Sequence, residues 1–160
     1  MSKYAEAGVD VKKKGIEAFK PLVENLFPEA FCVVVKDPEN PKKGLVFHAD
    51  SAGSKPIQSY IHWKETDDIN WFKGLAQDVI AMNLDDIICV GAKPLSFIDY
   101  VALNPYRITK EELLKTLSLG FKECMALLEN YGISLSFAGG ETADLPDQIQ
   151  TLDIAGAIHG

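Results

Sequence analysis

Three absences narrow the reading before any motif does. The chain has no surplus of positive charge: its formal net charge is −7, and a general binder of nucleic acid or of an anionic membrane carries the opposite sign. No apolar run approaches the roughly 20 residues that a membrane span needs. The longest candidate, Val79 to Val90, is interrupted by Asn83, Asp85 and Asp86, and the first residues, Met1-Ser2-Lys3-Tyr4-Ala5-Glu6, hold no signal-peptide core. Cysteine is scarce and unpaired. Cys32, Cys89 and Cys124 each stand in apolar surroundings with no Cys-x-x-Cys spacing, the pattern of three buried thiols in a reducing compartment. No histidine–cysteine cluster suggests zinc, and no spacing supports a Ser-His-Asp triad. The expected location is the cytoplasm.

What is present is ordinary globular sequence. The chain has 160 residues, 47% hydrophobic and 24% charged, enough for one domain that buries roughly 70% of its unfolded surface. Val11 to Phe27 carries Ile16, Phe19, Val23 and Leu26 at helical spacing, with Pro21 to kink or split it. Phe31–Val35 and Leu45–Ala49 read as a hairpin around the breaker-rich segment 37–44. Ile69 to Ile88 reads as one long helix or two abutting ones, with Leu75, Val79 and Met82 on one face. After Pro94, the residues Leu95, Phe97, Val101 and Leu103 alternate as a strand. Thr109-Lys110-Glu111-Glu112 is a capping box. It opens a helix striped by Leu113, Leu117, Phe121, Cys124 and Leu128 and ended by Gly132. Ile133–Phe137, broken by Gly139-Gly140, and Thr151–Ile158 complete the pattern as strands. Helix, strand, strand, helix, strand, helix, strand, strand suits a mixed sheet covered by helices, an α+β sandwich. The chain ends two residues past its last strand, which points to a domain boundary there.

Three segments offer chemistry. Asp50-Ser51-Ala52-Gly53-Ser54-Lys55 supplies a carboxylate, hydroxyls, a glycine and a lysine, an inventory suited to a phosphate with its metal, although its spacing is not that of a Walker A loop. Asn83-Leu84-Asp85-Asp86, with Asp78 upstream, places carboxylates in a run that otherwise wants burial, a cost that a metal would offset. Gly139-Gly140-Glu141-Thr142, directly after a strand, allows a tight turn and close backbone approach. The bland readings are a surface turn for the first and a polar loop after a helix for the second. His48 and His159 read as packed or interface histidines rather than ligands, and Trp63 and Trp71 as packing residues. Asp99 stands in the apolar phase of its strand, whose other face, Ser96, Ile98, Tyr100 and Ala102, is also largely apolar. Such a strand wants cover on both sides, and one small domain has helices for one only. A second copy, in a homodimer, is the expected cover.

Together these motifs resemble the aminoimidazole ribonucleotide synthetase family, the phosphoribosylformylglycinamidine cyclo-ligases. Tyr4-Ala5-Glu6-Ala7-Gly8-Val9-Asp10 is similar to the family's N-terminal signature, and Asp50 to Lys55 to its Asp-Gly-Val-Gly-Thr-Lys loop. Ala81 to Asp86, running on through Gly91-Ala92-Lys93-Pro94 and Phe97-Ile98-Asp99-Tyr100, resembles its central block. Gly139 to Pro146 matches its Gly-Gly-Glu-Thr-Ala-Glu-Met-Pro stretch, with Asp144 in place of glutamate. Ser51, Ser54 and Asp85 are the other departures, and all are mild.

The resemblance implies a mixed four-stranded sheet with helices on one side, two copies pairing through their sheets, and ATP near that interface. It implies ATP-dependent cyclisation of formylglycinamidine ribonucleotide, with Mg²⁺ neutralising phosphate charge and no protein nucleophile. By residue matching it implies Asp50, Asp85 and Asp86 as metal ligands and Asp50, Lys55 and Asp86 as the groups nearest the chemistry. It further implies Asp10, Gly53, Ser54, Lys55, Asp78, Gly139, Gly140, Glu141 and Thr142 at the nucleotide. The chain corresponds to the family's N-terminal, ATP-binding domain without its C-terminal one, so the expected behaviour of the chain alone is folding without turnover. Sibling readings stay open: formylglycinamidine ribonucleotide synthetase, selenophosphate synthetase, thiamine-phosphate kinase, a stand-alone nucleotide-binding domain, or a purely structural dimerisation module.

Overall fold

The computed structural model describes residues 3–10 and 13–160. In chain order it holds one helical turn, α1 (Lys3–Glu6), a 3-10 segment (Ile16–Leu22), β1 (Val34–Lys36), β2 (Gly44–Ser51), α2 (Lys55–Thr66), a 3-10 turn (Ile69–Phe72), α3 (Gly74–Ile88), β3 (Ser96–Leu103), α4 (Lys110–Asn130), β4 (Ser136–Asp144) and β5 (Leu152–His159). The strands form one mixed sheet in the order β1-β2-β5-β3-β4. Only the β3–β4 pair is parallel, with α4 as its crossover. The sheet therefore has five strands, as the hydrophobic pattern requires, rather than the four that the resemblance implies. The short β1 is the addition at the β2 edge.

The helix α4 follows its sequence closely. Leu113, Leu117, Phe121 and Cys124 are buried, and Leu128 packs against the core. Thr109 is the N-cap residue, but its side chain makes no capping hydrogen bond. At the other end Gly132 has φ +78°. Its amide donates to Glu129 O (2.9 Å), and that of Ile133 donates to Leu128 O (3.0 Å). These two bonds are a Schellman closure, which the glycine permits.

Four expectations need correction. The stripe Ile16, Phe19, Val23, Leu26 is exposed, and the helical stretch around it is a 3-10 segment containing Pro21. Among the described residues no layer covers that stripe, and Pro21 lacks the amide that a longer α-helix would use; Val11 and Lys12 lie outside the described residues. Met82 is exposed, and Asn83 takes its place in the core at 0% exposure. Cys89 is exposed, unlike Cys32 and Cys124. Gly139-Gly140 does not break a strand: both residues lie inside β4. Between Phe97↔Phe137 and Asp99↔Gly140, β4 spends one residue more than β3. That is a β-bulge, with Gly139 at φ +105°.

All long helices lie on one face of the sheet. Val46, Phe97, Val101, Ile154 and Ile158 point into that side and are buried. The opposite face carries Phe47, Ile98 and Tyr100, exposed at 62%, 46% and 39%.

Candidate functional site

The first candidate segment turns from strand to helix. Asp50 and Ser51 end β2, Gly53 turns at φ +62°, Ser54 is the N-cap position of α2, and Lys55 is that helix's first residue. Asp50 is held from two sides. Its amide donates to Asn83 Oδ1 (2.9 Å), and Asn83 Nδ2 donates back to Asp50 O (3.2 Å) and to Val79 O (2.8 Å). One carboxylate oxygen of Asp50 accepts the Ser51 amide (2.7 Å), and the Gly53 amide donates to Ser51 Oγ (3.1 Å). Asn83 is thus a positioning residue for the loop. Its part in the sequence signal was confined to membership of a polar run, because a buried amide in a helix leaves no spacing signature of its own.

Lys55 Nζ lies 3.1 Å from Asp78 Oδ1, and both side chains are partly exposed. They border a cavity of about 230 Å³ that Gln58, Ser59, His62 and Trp71 also line. Two residues expected at the nucleotide thus meet beside one pocket, while the first turn of α2 has its Lys55 and Ile57 amides turned to Ala52 O and Ser54 O and a proline at position 56.

The sheet register aligns the other candidates. Asp50 pairs with Gly156, Gly156 with Asp99, and Asp99 with Gly140. These four residues form one row across the helix-covered face. A Cβ on Gly156 would meet the Phe97 ring, and a Cβ on Gly140 would fall on the Asp99 carboxylate. Desolvation pushes the Asp99 carboxyl above its ordinary range, against a smaller lowering from a backbone hydrogen bond. Glu141 pairs with Tyr100, so it lies on the opposite, uncovered face, with its carboxylate folded onto the Thr142 amide (2.8 Å). Thr142 pairs with Val101 and returns to the helix side.

Of the three carboxylates implied as metal ligands, Asp50 lies on β2 and the other two on α3. Asp85 and Asp86 lie within α3, not in a loop after it. Asp85 is exposed. Asp86 Oδ2 is 2.7 Å from His48 Nε2. Among the described residues, the one group of three His, Cys, Asp or Glu ligand atoms lying within 4.8 Å of one another is Cys32, His48 and Asp86. Asp10 lies in the exposed N-terminal segment, with its carboxylate accepting the Lys14 amide (2.7 Å). His159 stacks on Phe47 (ring centroids 4.7 Å apart), Trp63 packs against the core, and Trp71 stacks on His62.

Against this geometry stand the comparisons. Residues 29–160 match the family described as "AIR synthase related protein, N-terminal domain". A phosphoribosylformylglycinamidine cyclo-ligase of Methanococcus vannielii is 30% identical over 99% of this chain and 43% of its own length. One of Thermococcus gammatolerans is 30% identical over 100% of this chain and 47% of its own length. One of Methanocaldococcus jannaschii reaches 37% over 71% of this chain and 28% of its own length. The chain thus spans less than half the length of these relatives. Among solved structures, a chain of the "HypE-HypF complex" superposes with a TM-score of 0.55 at 16% identity, covering 90% of this chain and 40% of that one. That similarity supports the fold alone. No helix among the described residues is long and apolar enough to cross a membrane.

Proposed function

Because the chain belongs to the AIR synthase related family, through that family's N-terminal domain, we propose that it supplies the Mg-ATP-binding half of a phosphoribosylformylglycinamidine cyclo-ligase. In the reaction proposed, ATP phosphorylates the amide oxygen of formylglycinamidine ribonucleotide. An internal nitrogen then closes the imidazole ring, and ADP and phosphate leave. The observation that carries this reading is the Asp50–Lys55 turn. It combines an aspartate whose backbone is clamped by Asn83, a left-handed glycine, and a lysine opening a helix beside Asp78, within a chain matched end to end by cyclo-ligases.

The residues fit Mg²⁺ bound through phosphates. That ion favours one or two carboxylates plus phosphate oxygens and water over an all-protein cage. Asp50 has one oxygen engaged by the Ser51 amide and a second to offer. Mg²⁺ there would neutralise charge on the transferred phosphoryl group. Lys55, exchanging Asp78 for a phosphate oxygen, would add a positive charge. In this reading the bare sheet face, with Glu141 at its edge, meets a second copy of the chain. The protein acts in the cytoplasm.

Calorimetry of ATP with and without Mg²⁺ tests the assignment. Asp50→Asn keeps the shape and removes the charge, with an expected loss of about 2 kcal/mol, the scale of a charge-assisted contact. Wild-type affinity in this variant would remove Asp50 from the site.

A further inference from the structure

A cavity of about 680 Å³ stands at the carboxyl ends of β3 and β4, the parallel pair of the sheet. It shares no lining residue with the cavity beside Lys55 and Asp78. Its size is that of a small-molecule site, and the crevice beyond the carboxyl ends of parallel strands is where open sheets with crossover helices bind ligands. Arg107, Asp147, Gln148, Gln150 and Thr151 line it, with Tyr60 of α2 as an aromatic wall.

One buried side chain holds both sides of this cavity. Asn104, 8% exposed, directly follows β3. Its Nδ2 donates to Ile149 O (3.0 Å) and to Pro146 O (3.4 Å), and its backbone amide donates to Thr151 O (2.8 Å). These bonds fix the loop after β4. On the other side Asn104 Oδ1 accepts the Tyr106 amide (3.1 Å), and Asn104 O accepts the Arg107 amide (3.0 Å). They fix the turn that carries Arg107. The walls therefore stand preformed, which lowers the cost of binding between them.

Arg107 is the only arginine of the chain. It is exposed, and none of the ion pairs among the described residues engages it, although Asp147 lines the same cavity. Its guanidinium fork matches two oxygens of a phosphate. Asp147 has the complementary use. A carboxylate repels a phosphate, but it accepts hydrogen bonds from sugar hydroxyls, as acidic residues do at the ribose of dinucleotides. Gln148, Gln150 and Thr151 add neutral donors and acceptors. An arginine and an aspartate that share a cavity without pairing fit a ligand with an anionic end and a hydroxyl-bearing body.

We propose that this cavity binds a ribose phosphate monoester, with the phosphate at Arg107, the sugar hydroxyls at Asp147 and the sugar ring against Tyr60. The choice of ribose rests on the reading of the chain as half of a ribonucleotide enzyme. The phosphate rests on Arg107. Both the ribonucleotide of the proposed reaction and a free sugar phosphate carry this group.

Calorimetric titration of the whole chain with ribose 5-phosphate, inorganic phosphate and ribose provides the test. Ribose 5-phosphate should bind at one equivalent, more tightly than either fragment. Arg107→Gln should weaken it on the order of 10- to 100-fold, the scale of hydrogen bonds to a charged group, and Arg107→Lys should restore part of the loss through charge alone. Asp147→Asn should weaken ribose 5-phosphate but not inorganic phosphate. Circular dichroism certifies that each variant is folded. Mg-ATP affinity should be unchanged in Arg107→Gln, and Asp50→Asn should bind ribose 5-phosphate like the wild type, so the nucleotide assignment and this one fail separately. Displacement of ribose 5-phosphate by formylglycinamidine ribonucleotide would assign the cavity to that substrate; binding that resists displacement would uphold the cavity and assign it to a free sugar phosphate. A folded wild type that does not bind ribose 5-phosphate would overturn the proposal. So would unchanged affinity in Arg107→Gln, or inorganic phosphate bound as tightly as the sugar phosphate.

Discussion

The two faces of the sheet are both apolar, and only one is closed. On the helix side Phe97, Val101, Ile154 and Ile158 are at most 1% exposed, and glycine at 156 lets Phe97 lie flat on the strand. On the other side Phe47, Ile98 and Tyr100 keep 39–62% of their surface in contact with solvent, among the small residues Ala49, Ala155 and Ala157. Monomeric domains rarely leave a contiguous apolar face of this kind uncovered. The difference teaches where this chain's own packing stops. The covered face stabilises the fold and holds Asp50, Asn83 and Asp99. The bare face leaves its apolar side chains to solvent and adds little to the folded chain. Glu141 belongs to the bare side, across the sheet from Asp50 and Asp99.

Substitutions can break this contrast. Phe97→Ala should cost about 3–5 kcal/mol of stability by urea denaturation, the range for emptying a core aromatic site. A cost near zero would mean that the helix face is not the core. Gly156→Ala should cost about 1–3 kcal/mol, because its methyl must displace the Phe97 ring. Asp99→Asn sharpens the same row. The Asp99 carboxyl is raised in the folded state, so the folded chain holds the proton more tightly than the unfolded chain does. Its stabilising contribution is complete below the ordinary carboxylate value and is lost as pH rises through the folded value. The amide that replaces it does not titrate and carries no such loss. The variant should therefore melt higher than wild type at neutral pH, and the gap should close as the medium becomes acidic. A constant gap from acid to neutral pH would place the effect outside titration. On the bare face, Phe47→Ala should move chain stability by no more than about 0.5 kcal/mol when measured on the dissociated chain.

The legible parts of the sequence were those whose periodicity and packing agree. The α4 stripe and its closing glycine are such a case, since every buried position recurs at helical spacing and Gly132 sits where the left-handed turn must be. The helix α2 left little trace because Pro56 is its one buried residue. It lies on the domain surface with Tyr60 and Trp63 half-covered, so no apolar stripe marks it. Gly139-Gly140 misled for a physical reason. Glycine serves a turn and a bulge equally well, and only the cross-strand register to β3 separates them. At the candidate site Asp50 and Lys55 were visible as a polar run after an apolar strand. The Asn83 clamp was not, nor was the meeting of Cys32 with His48 and Asp86, which stand 16 and 54 residues away. Such a cluster exists only once β1, β2 and α3 have packed.

The contrast between the two faces is tested most directly by the mass of the particle in solution. Multi-angle light scattering should give twice the mass of one chain at tens of micromolar for the wild type. Phe47→Asp, which puts a charge in the middle of the bare face, should give the mass of one chain with unchanged circular dichroism. A wild type that stays a single chain at that concentration, or a Phe47→Asp variant that stays paired, would contradict the assignment of that face to a second copy.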